Sequence, residues 1–256
     1  MQMKMTVTEI KEKLQQVTDP EDAFLLFCQA DERKGVQLAV KQWHKRQEAK
    51  KELYNRYQRM NQFEEEAYAS GYQFIAGIDE VGRGPLAGPV VSAAVILDKN
   101  NQIFGLNDSK KLSLKMRNQL FSEINKKAIA IGIGIISAEE IDRYNILEAT
   151  KLAMNKAVAN LSKQPELLFV DAVRLQTSIP QQTIIKGDLK SNSIAAASII
   201  AKVTRDQMMV EYDTKCPGYG FANNAGYGTK EHLEGLELLG ITPIHRHSFS
   251  PVKKYL

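Results

Sequence analysis

The chain has 256 residues, an ordinary apolar share of 43% and a net charge of +4, with a pI near 8.9. That length suits one medium domain with an extension or two small domains, and the mild positive excess fits a polyanionic partner without demanding one. Two distant cysteines, Cys28 and Cys216, exclude a disulfide framework or a Cys-rich zinc site and point to a reducing cytosol, while no apolar run is long enough to span a bilayer or to serve as a signal peptide.

Residues 1–70 carry few Gly or β-branched residues and many Lys, Glu and Gln, so they read as a helical extension. Thr18-Asp19-Pro20-Glu21 looks like a helix start. From residue 36 to 68 no Gly or Pro interrupts, which predicts one long helix or a helical hairpin. Lys41, Lys45, Arg46, Lys50, Lys51, Arg56 and Arg59 oppose Glu48 and Glu52 there, a local balance of 7 − 2 = +5. Trp43, Tyr54 and Tyr57 interleave with these charges. The segment reads as an extra nucleic-acid grip or as a solvated helix with packed aromatics, and the second is favoured slightly because the extension is otherwise near neutral.

Residues 71–256 read as one α/β unit. Strands are predicted over 72–78, 90–97, 128–136, 167–171 and 183–186. Gly132 and Gly134 in the third mark places where another backbone can come close. Ser113 caps a helix running to about residue 127, and a helical stretch over 138–161 is broken near Asn145. Ser191 or Ser193 caps an Ala-rich helix to about 212. A Gly- and Tyr-rich loop over 217–228 leads to a helix over 229–239. This order predicts a mixed β-sheet flanked by helices, with C-terminal helices beyond it.

Four acids fall beside strand ends. Asp79 and Glu80 close the first apolar run, Asp171 closes Leu-Leu-Phe-Val-Asp, and Asp188 follows Lys186-Gly187. A buried carboxylate is costly unless something compensates it, and oxygen-only donor sets suit Mg²⁺ or Mn²⁺. Any one of these acids alone reads better as a cap or a loop residue; the set reads as a metal site. Adjacent strand residues face opposite ways, so Asp79 and Glu80 share a site only if the strand kinks or ends there. Gly82-Arg83-Gly84 follows at once, and leads through Pro85 and Pro89 into a strand rather than a helix, which excludes the dinucleotide fingerprint. Glycine lets backbone approach a ligand while the arginine fork suits phosphate. Asp108-Ser109-Lys110-Lys111 is a polar loop fit either for phosphate oxygens or for solvent. Lys202 and Arg205 read as a surface ion-pair face. Tyr219, Phe221 and Tyr227 read as exposed stacking aromatics or as the loop's own pins. His245-Arg246-His247 reads as a phosphate contact or plain surface.

The motifs Gly77-Ile78-Asp79-Glu80-Val81-Gly82-Arg83-Gly84-Pro85, Asp108-Ser109-Lys110-Lys111-Leu112, Val170-Asp171-Ala172, Lys186-Gly187-Asp188, Ile194-Ala195-Ala196-Ala197-Ser198 with its continuation to Asp206, and Gly226-Tyr227-Gly228-Thr229-Lys230-Glu231-His232 resemble bacterial ribonuclease HII, the type 2 RNase H. The resemblance covers about 71–250 and leaves 1–70 outside. It implies an RNase H-like fold. It also implies endonucleolytic cleavage of RNA in RNA–DNA hybrids and 5′ of single ribonucleotides embedded in duplex DNA. Hydrolysis would use two Mg²⁺ or Mn²⁺ ions and give a 3′-hydroxyl and a 5′-phosphate. Asp79, Glu80, Asp171 and Asp188 match the family's catalytic, metal-holding carboxylates, with Asp206 the neighbouring acid whose share relative to Asp188 is open. Gly82, Arg83 and Gly84 match the motif that senses the 2′-OH, and Tyr227 the tyrosine that stacks on the next deoxyribose; Ser109 and Lys110 are further substrate-binding candidates. A ribonuclease HIII would lack the Gly-Arg-Gly and carry a sheet-rich N-terminal domain. A non-catalytic duplex-binding module would need no buried acids. The expectation is a cytosolic monomer with a sliding clamp as a candidate partner, acting in DNA replication and repair.

Overall fold

The computed structural model describes residues 5–256, and the chain divides into two compact units, 1–56 and 57–256. In the first, α1 (Val7–Gln16), α2 (Ala23–Gln29) and most of α3 (Lys34–Met60) enclose a small core of Ile10, Leu14, Leu25, Cys28, Val36, Val40 and Trp43. Thr6 and Glu9 form a capping box on α1. The Trp43 indole N–H donates to the Val17 carbonyl over 2.8 Å, and Arg46 donates to Leu14 O over 2.7 Å. Trp43 is therefore a core residue of this unit, and Arg46 holds the end of α1. Lys41, Lys45, Lys50, Lys51 and Arg59 stay exposed. The helix start expected at 18–21 is a turn: Asp19 accepts from the Glu21 N–H, and Asp22 caps α2.

The second unit begins with the end of α3. Of the two readings for 36–68, one long helix or a helical hairpin, the structure has two helices: α3 stops at Met60 and α4 (Gln62–Ala69) follows Asn61. A five-stranded sheet comes next, in the order β3-β2-β1-β4-β5: β1 (Ile75–Val81), β2 (Val90–Ile96), β3 (Ala130–Ile136), β4 (Leu167–Asp171) and β5 (Gln181–Ile184). The β1–β2 and β2–β3 pairings are antiparallel; β1–β4 and β4–β5 are parallel. All of β2 is buried, including its one polar residue, Ser92, whose hydroxyl donates to the Asp79 carbonyl.

Helices cover both faces. On one lie α5 (Leu114–Lys127) and α8 (Asn192–Lys215), packed on Val91, Ala93 and Val95. On the other lies α7 (Ile146–Ala159), whose Met154 and Ala157 meet Ile78, Ala94 and Ile96. Asn145 ends α6 (Ala138–Tyr144) at a φ of 67° and caps α7 by accepting from the Leu147 and Glu148 N–H groups. Gly132 and Gly134 sit directly under the α7 backbone at Ala157 and Ala153, where any side chain would collide. Gly77 plays the same part under Ser193 at the start of α8. The chain ends with α9 (Phe221–Asn224), α10 (Lys230–Leu239) and α11 (Ser250–Lys253).

β2 ends one residue early, at Ile96, and β3 begins two residues late, at Ala130; two further strands are shifted along the chain. The first apolar run begins pairing three residues late, at Ile75, and continues through both acids to Val81. The last strand is Gln181–Ile184 rather than 183–186, because Lys186 adopts a left-handed φ of 57° and turns the chain into a 3-10 turn at Gly187–Leu189. One buried acid ties α4 to this region. Glu64 accepts from the Ser193 N–H at 3.0 Å, the Ser193 hydroxyl at 2.7 Å and the Ser191 hydroxyl, fixing the N-terminus of α8 just after Asp188.

Candidate active site

Strand β1 pairs with β2 as far as Val81↔Val91 but with β4 only to Ile78↔Val170. The sheet therefore opens between β1 and β4 just where Asp79 and Asp171 stand. Asp79, Glu80 and Asp171 each offer a carboxylate oxygen, and these oxygens lie within 4.8 Å of one another. Of the two expected ways to unite the adjacent acids, a kink or an end of the strand, β1 does not end there: its ladder with β2 keeps register through both acids to Val81. The gap left by β4 gives the Glu80 side chain room to reach round.

The backbone organises this cluster. The Glu80 N–H donates to Asp79 Oδ1 at 2.8 Å, and the Gly187 N–H donates to Asp171 Oδ1 at 2.7 Å. Ala172, at a left-handed φ of 49°, turns the chain away directly after Asp171; such a conformation costs a non-glycine residue energy that the surroundings must offset. Burial, then the charges of Glu80 and Asp171, push the Asp79 carboxyl well above its usual range. Burial also raises Glu80, opposed by Arg83, whose Nη1 lies 3.3 Å from Glu80 Oε1. Glu80 Oε2 is buried with no hydrogen-bond partner. Three crowded carboxylates, one with an orphaned oxygen, with a single half-exposed arginine beside them form a donor set that fits a hard divalent cation.

Asp188 stands apart from the three, on the 3-10 turn. Burial, Asp108 and Asp171 raise its carboxyl, while Lys110 opposes them, so it borders the cluster. Asp206 is taken by Lys202 at 2.7 Å and Arg117 at 3.5 Å. Lys110 is exposed near Asp188, whereas Ser109 is buried with its hydroxyl 3.0 Å from that of Ser198.

The Gly-Arg-Gly loop is held from beneath by two buried arginines that have no carboxylate partner among the described residues. Arg246 donates to the carbonyls of Gly82, Arg83 and Gly88. Arg205 donates to Pro89 O at 2.8 Å, Ala87 O at 3.1 Å and Ala225 O at 2.9 Å. Burial lowers them to about 9 and about 10 respectively, still charged at neutral pH. In a trans peptide the C=O and N–H point opposite ways. With the Gly82 and Arg83 carbonyls turned inward to Arg246, the N–H groups of Arg83 and Gly84 point outward. Neither has a partner among the described residues. The Tyr227 ring, 45% exposed, lies alongside: a Cβ at residue 84 would sit 3.5 Å from Tyr227 Cε1.

Several readings change here. Arg205 is not on a surface ion-pair face; only Lys202 is, and Arg205 is fully buried. His245 and Arg246 are interior, leaving only His247 of that triplet exposed. Tyr219 and Phe221 stack on each other inside, with centroids 5.1 Å apart, so Tyr227 alone of the three presents its ring. The sequence carried no signal for Arg205, which stands among Lys202, Thr204, Asp206 and Gln207. For His245 and Arg246 none was visible, because their burial depends on a bridge between Ala87 and His245, 158 residues apart in sequence.

The comparisons with known proteins agree with one another. A family model described as Ribonuclease HII matches residues 76–252, and one described as Ribonuclease HII N-terminal domain matches 6–68. The extension expected to lie outside the resemblance is thus also matched. A Ribonuclease HII of Enterococcus faecalis is 58% identical over 250 residues, 98% of each chain. One of Listeria monocytogenes serotype 4b is 53% identical over 252 residues, 98% of this chain and 97% of the relative. The crystal structure of the ribonuclease H2 from Pyrococcus horikoshii aligns with a TM-score of 0.63 at 27% identity, over 72% of this chain and 97% of that one. The PCNA:RNase HII complex from Archaeoglobus fulgidus contains a chain aligned at a TM-score of 0.60 and 28% identity, over 70% and 96%.

Proposed function

The chain belongs to the ribonuclease HII family, a metal-dependent type 2 ribonuclease H that cuts RNA in RNA–DNA hybrids, and from that premise we propose that it also cleaves 5′ of single ribonucleotides embedded in duplex DNA. The reaction leaves a 3′-hydroxyl and a 5′-phosphate and serves ribonucleotide excision in replication and repair. The observation that carries this reading is adjacency. The acid cluster and the outward N–H groups of Arg83 and Gly84 are joined by the Arg83–Glu80 contact at 3.3 Å, so one nucleotide could lie against both.

Asp79, Glu80 and Asp171 would hold the divalent ions, with Asp188 completing the set from its turn. Mg²⁺ or Mn²⁺ bound there, as a pair, supplies an activated water and charge stabilisation at the leaving oxygen. The chain's own groups do the selecting. A 2′-OH is the one handle that separates ribose from deoxyribose, and it can accept from the free N–H groups of Arg83 and Gly84 while the Arg83 guanidinium faces a phosphate. Tyr227 would stack on the next sugar, where an added hydroxyl would collide with the ring. Lys110 would neutralise a neighbouring phosphate; Ser109 would act through Ser198 rather than by direct contact, since its hydroxyl faces inward.

The functional division is a helical extension over 1–70 and a catalytic domain over 71–256, with α4 shared: by sequence it belongs to the extension, and by packing to the second unit. Among the described residues no helix is long and apolar enough to cross a membrane; a cytosolic monomer is proposed. The PCNA complex of the Archaeoglobus fulgidus relative supports a sliding clamp as a partner. The test is incubation with a labelled DNA duplex containing one ribonucleotide, with Mg²⁺, Mn²⁺ or EDTA. A metal-dependent nick on its 5′ side is expected. A protein that cuts long hybrids but spares this substrate lacks the junction function.

A further inference from the structure

His232 and His245 are fully buried and take no part in the chemistry above. Their Nε2 atoms lie 2.9 Å apart, a distance at which two ring nitrogens share one proton. The backbone decides which ring supplies it. The Thr242 N–H donates to His245 Nδ1 over 2.8 Å. A nitrogen that accepts carries no proton, so neutral His245 keeps its proton on Nε2. At the other end, His232 Nδ1 lies 2.9 Å from the Tyr227 carbonyl oxygen. A carbonyl only accepts, so His232 carries its proton on Nδ1 and leaves Nε2 bare. The two anchors thus select complementary tautomers. One directed chain runs from Thr242 N–H through His245 and His232 to the carbonyl of Tyr227.

An extra proton has no place in this chain, since each bare nitrogen already faces a donor. The surroundings agree: Phe221 stands edge-on to His232 with centroids 5.1 Å apart, and Tyr219 lies 5.1 Å from His245. Burial and then the neighbouring His232 hold His245 down to about 4, and burial lowers His232. The Tyr227 carbonyl receives a second donor, the Thr229 N–H at 2.8 Å. The loop that this carbonyl anchors is under strain, with Ala225 at a left-handed φ of 50°, and would not hold its course unaided.

We infer that His232 and His245 are positioning residues: a neutral, oriented relay that fixes the Tyr227 backbone and so sets where its ring stands beside Gly84. The inference rests on the stacking role proposed for Tyr227. It concerns substrate discrimination rather than the acid chemistry, because the relay reaches the loop and not the carboxylates.

The first test is long-range ¹⁵N correlation spectroscopy of the full chain labelled at histidine, at neutral pH. His232 should appear as the Nδ1–H tautomer and His245 as the Nε2–H tautomer, each assigned by its loss in His232→Asn or His245→Asn. A charged ring, or the same tautomer at both positions, overturns the relay. The second test is kinetic. His232→Leu should lower kcat/KM on the single-ribonucleotide duplex about tenfold, the scale of a misplaced contact group, with a smaller loss on long hybrid. His232→Asn, which keeps a donor near the Nδ1 position, should recover most of it. In a Tyr227→Ala background the cost of His232→Leu should fall below about twofold, because contacts acting as one unit are not additive. An undiminished cost there shows that His232 does not act through Tyr227 and overturns the inference. If Tyr227→Ala itself leaves the single-ribonucleotide substrate unaffected, the stacking role is what fails, and the catalytic meaning of the relay falls with it.

Discussion

Two halves of the site handle buried charge in opposite ways. The acid cluster gathers Asp79, Glu80 and Asp171 with one partly exposed arginine beside them and one carboxylate oxygen left without a partner. The Gly-Arg-Gly loop rests on Arg205 and Arg246, whose charges are spread over six carbonyls: those of Gly82, Arg83, Ala87, Gly88, Pro89 and Ala225. The second half is complete in itself. The first keeps raised carboxyls and an orphaned oxygen, a load that protonation or a divalent cation would relieve. One half therefore suits an incoming ion and the other holds still. Holding still is what discrimination at a single sugar requires, because donors that must reach one hydroxyl cannot wander.

The comparison breaks most visibly at Asp79. Asp79→Asn removes a donor from the ion-holding half and should cut turnover on long hybrid by about 10³-fold, several kcal/mol of transition-state stabilisation. Substrate affinity in a binding assay should change little. Retained turnover contradicts the role given to the acids. In the rigid half the expected loss is stability. Arg246→Ala strips the donors from Gly82, Arg83 and Gly88 and should cost about 3 kcal/mol or more in urea unfolding; a midpoint shift near zero would mean that the clamp is ornamental. A smaller effect separates substrates. Tyr227→Ala should lower kcat/KM about tenfold on the single-ribonucleotide duplex and much less on long hybrid, and equal losses would deny it a junction role. The smallest concerns pH. His232 and His245 are held below the ordinary histidine range, so the unfolded chain protonates them first. Their contribution is present above about pH 6.5 and declines as the pH falls toward 4. Between pH 6.5 and 5.5 His245 alone should lose about 1 kcal/mol, His232 adds to that loss, and His232→Asn should make the slope shallower.

Much of the acid cluster was legible from the chain. Carboxylates at the ends of apolar runs announce themselves, since burial without compensation is too costly to be accidental. The β-strand and helix order followed from periodicity, and Gly132 and Gly134 marked a close backbone approach, which α7 makes. The rigid half was mostly hidden. Arg205 and Arg246 look like surface cations in sequence, and the burial of Arg246 depends on pairing between residue 87 and residue 245. No local pattern encodes such a contact. Asp79 and Glu80 were legible as a pair but not the means of uniting them: the cause is the early end of the β1–β4 ladder, a property of two strands rather than of either. A break in the long helical run was one of two readings, but its place at Asn61 was not legible, because α4 brings Glu64 onto Ser191 and Ser193, far along the chain.

The central claim is that the acid cluster is incomplete without a cation, and thermal unfolding tests it most directly. Burial and mutual repulsion raise Asp79 and Glu80 in the ion-free fold, so their ionisation works against folding and stability is lost as the pH rises through their folded values. At pH 7.5 in EDTA, Asp79→Asn should therefore melt above the wild type. Saturating Mg²⁺ or Mn²⁺ should raise the wild-type midpoint by about 5–10 °C and the variant's by clearly less. A wild type whose midpoint ignores the metal, together with a variant less stable than it in EDTA, would contradict the account.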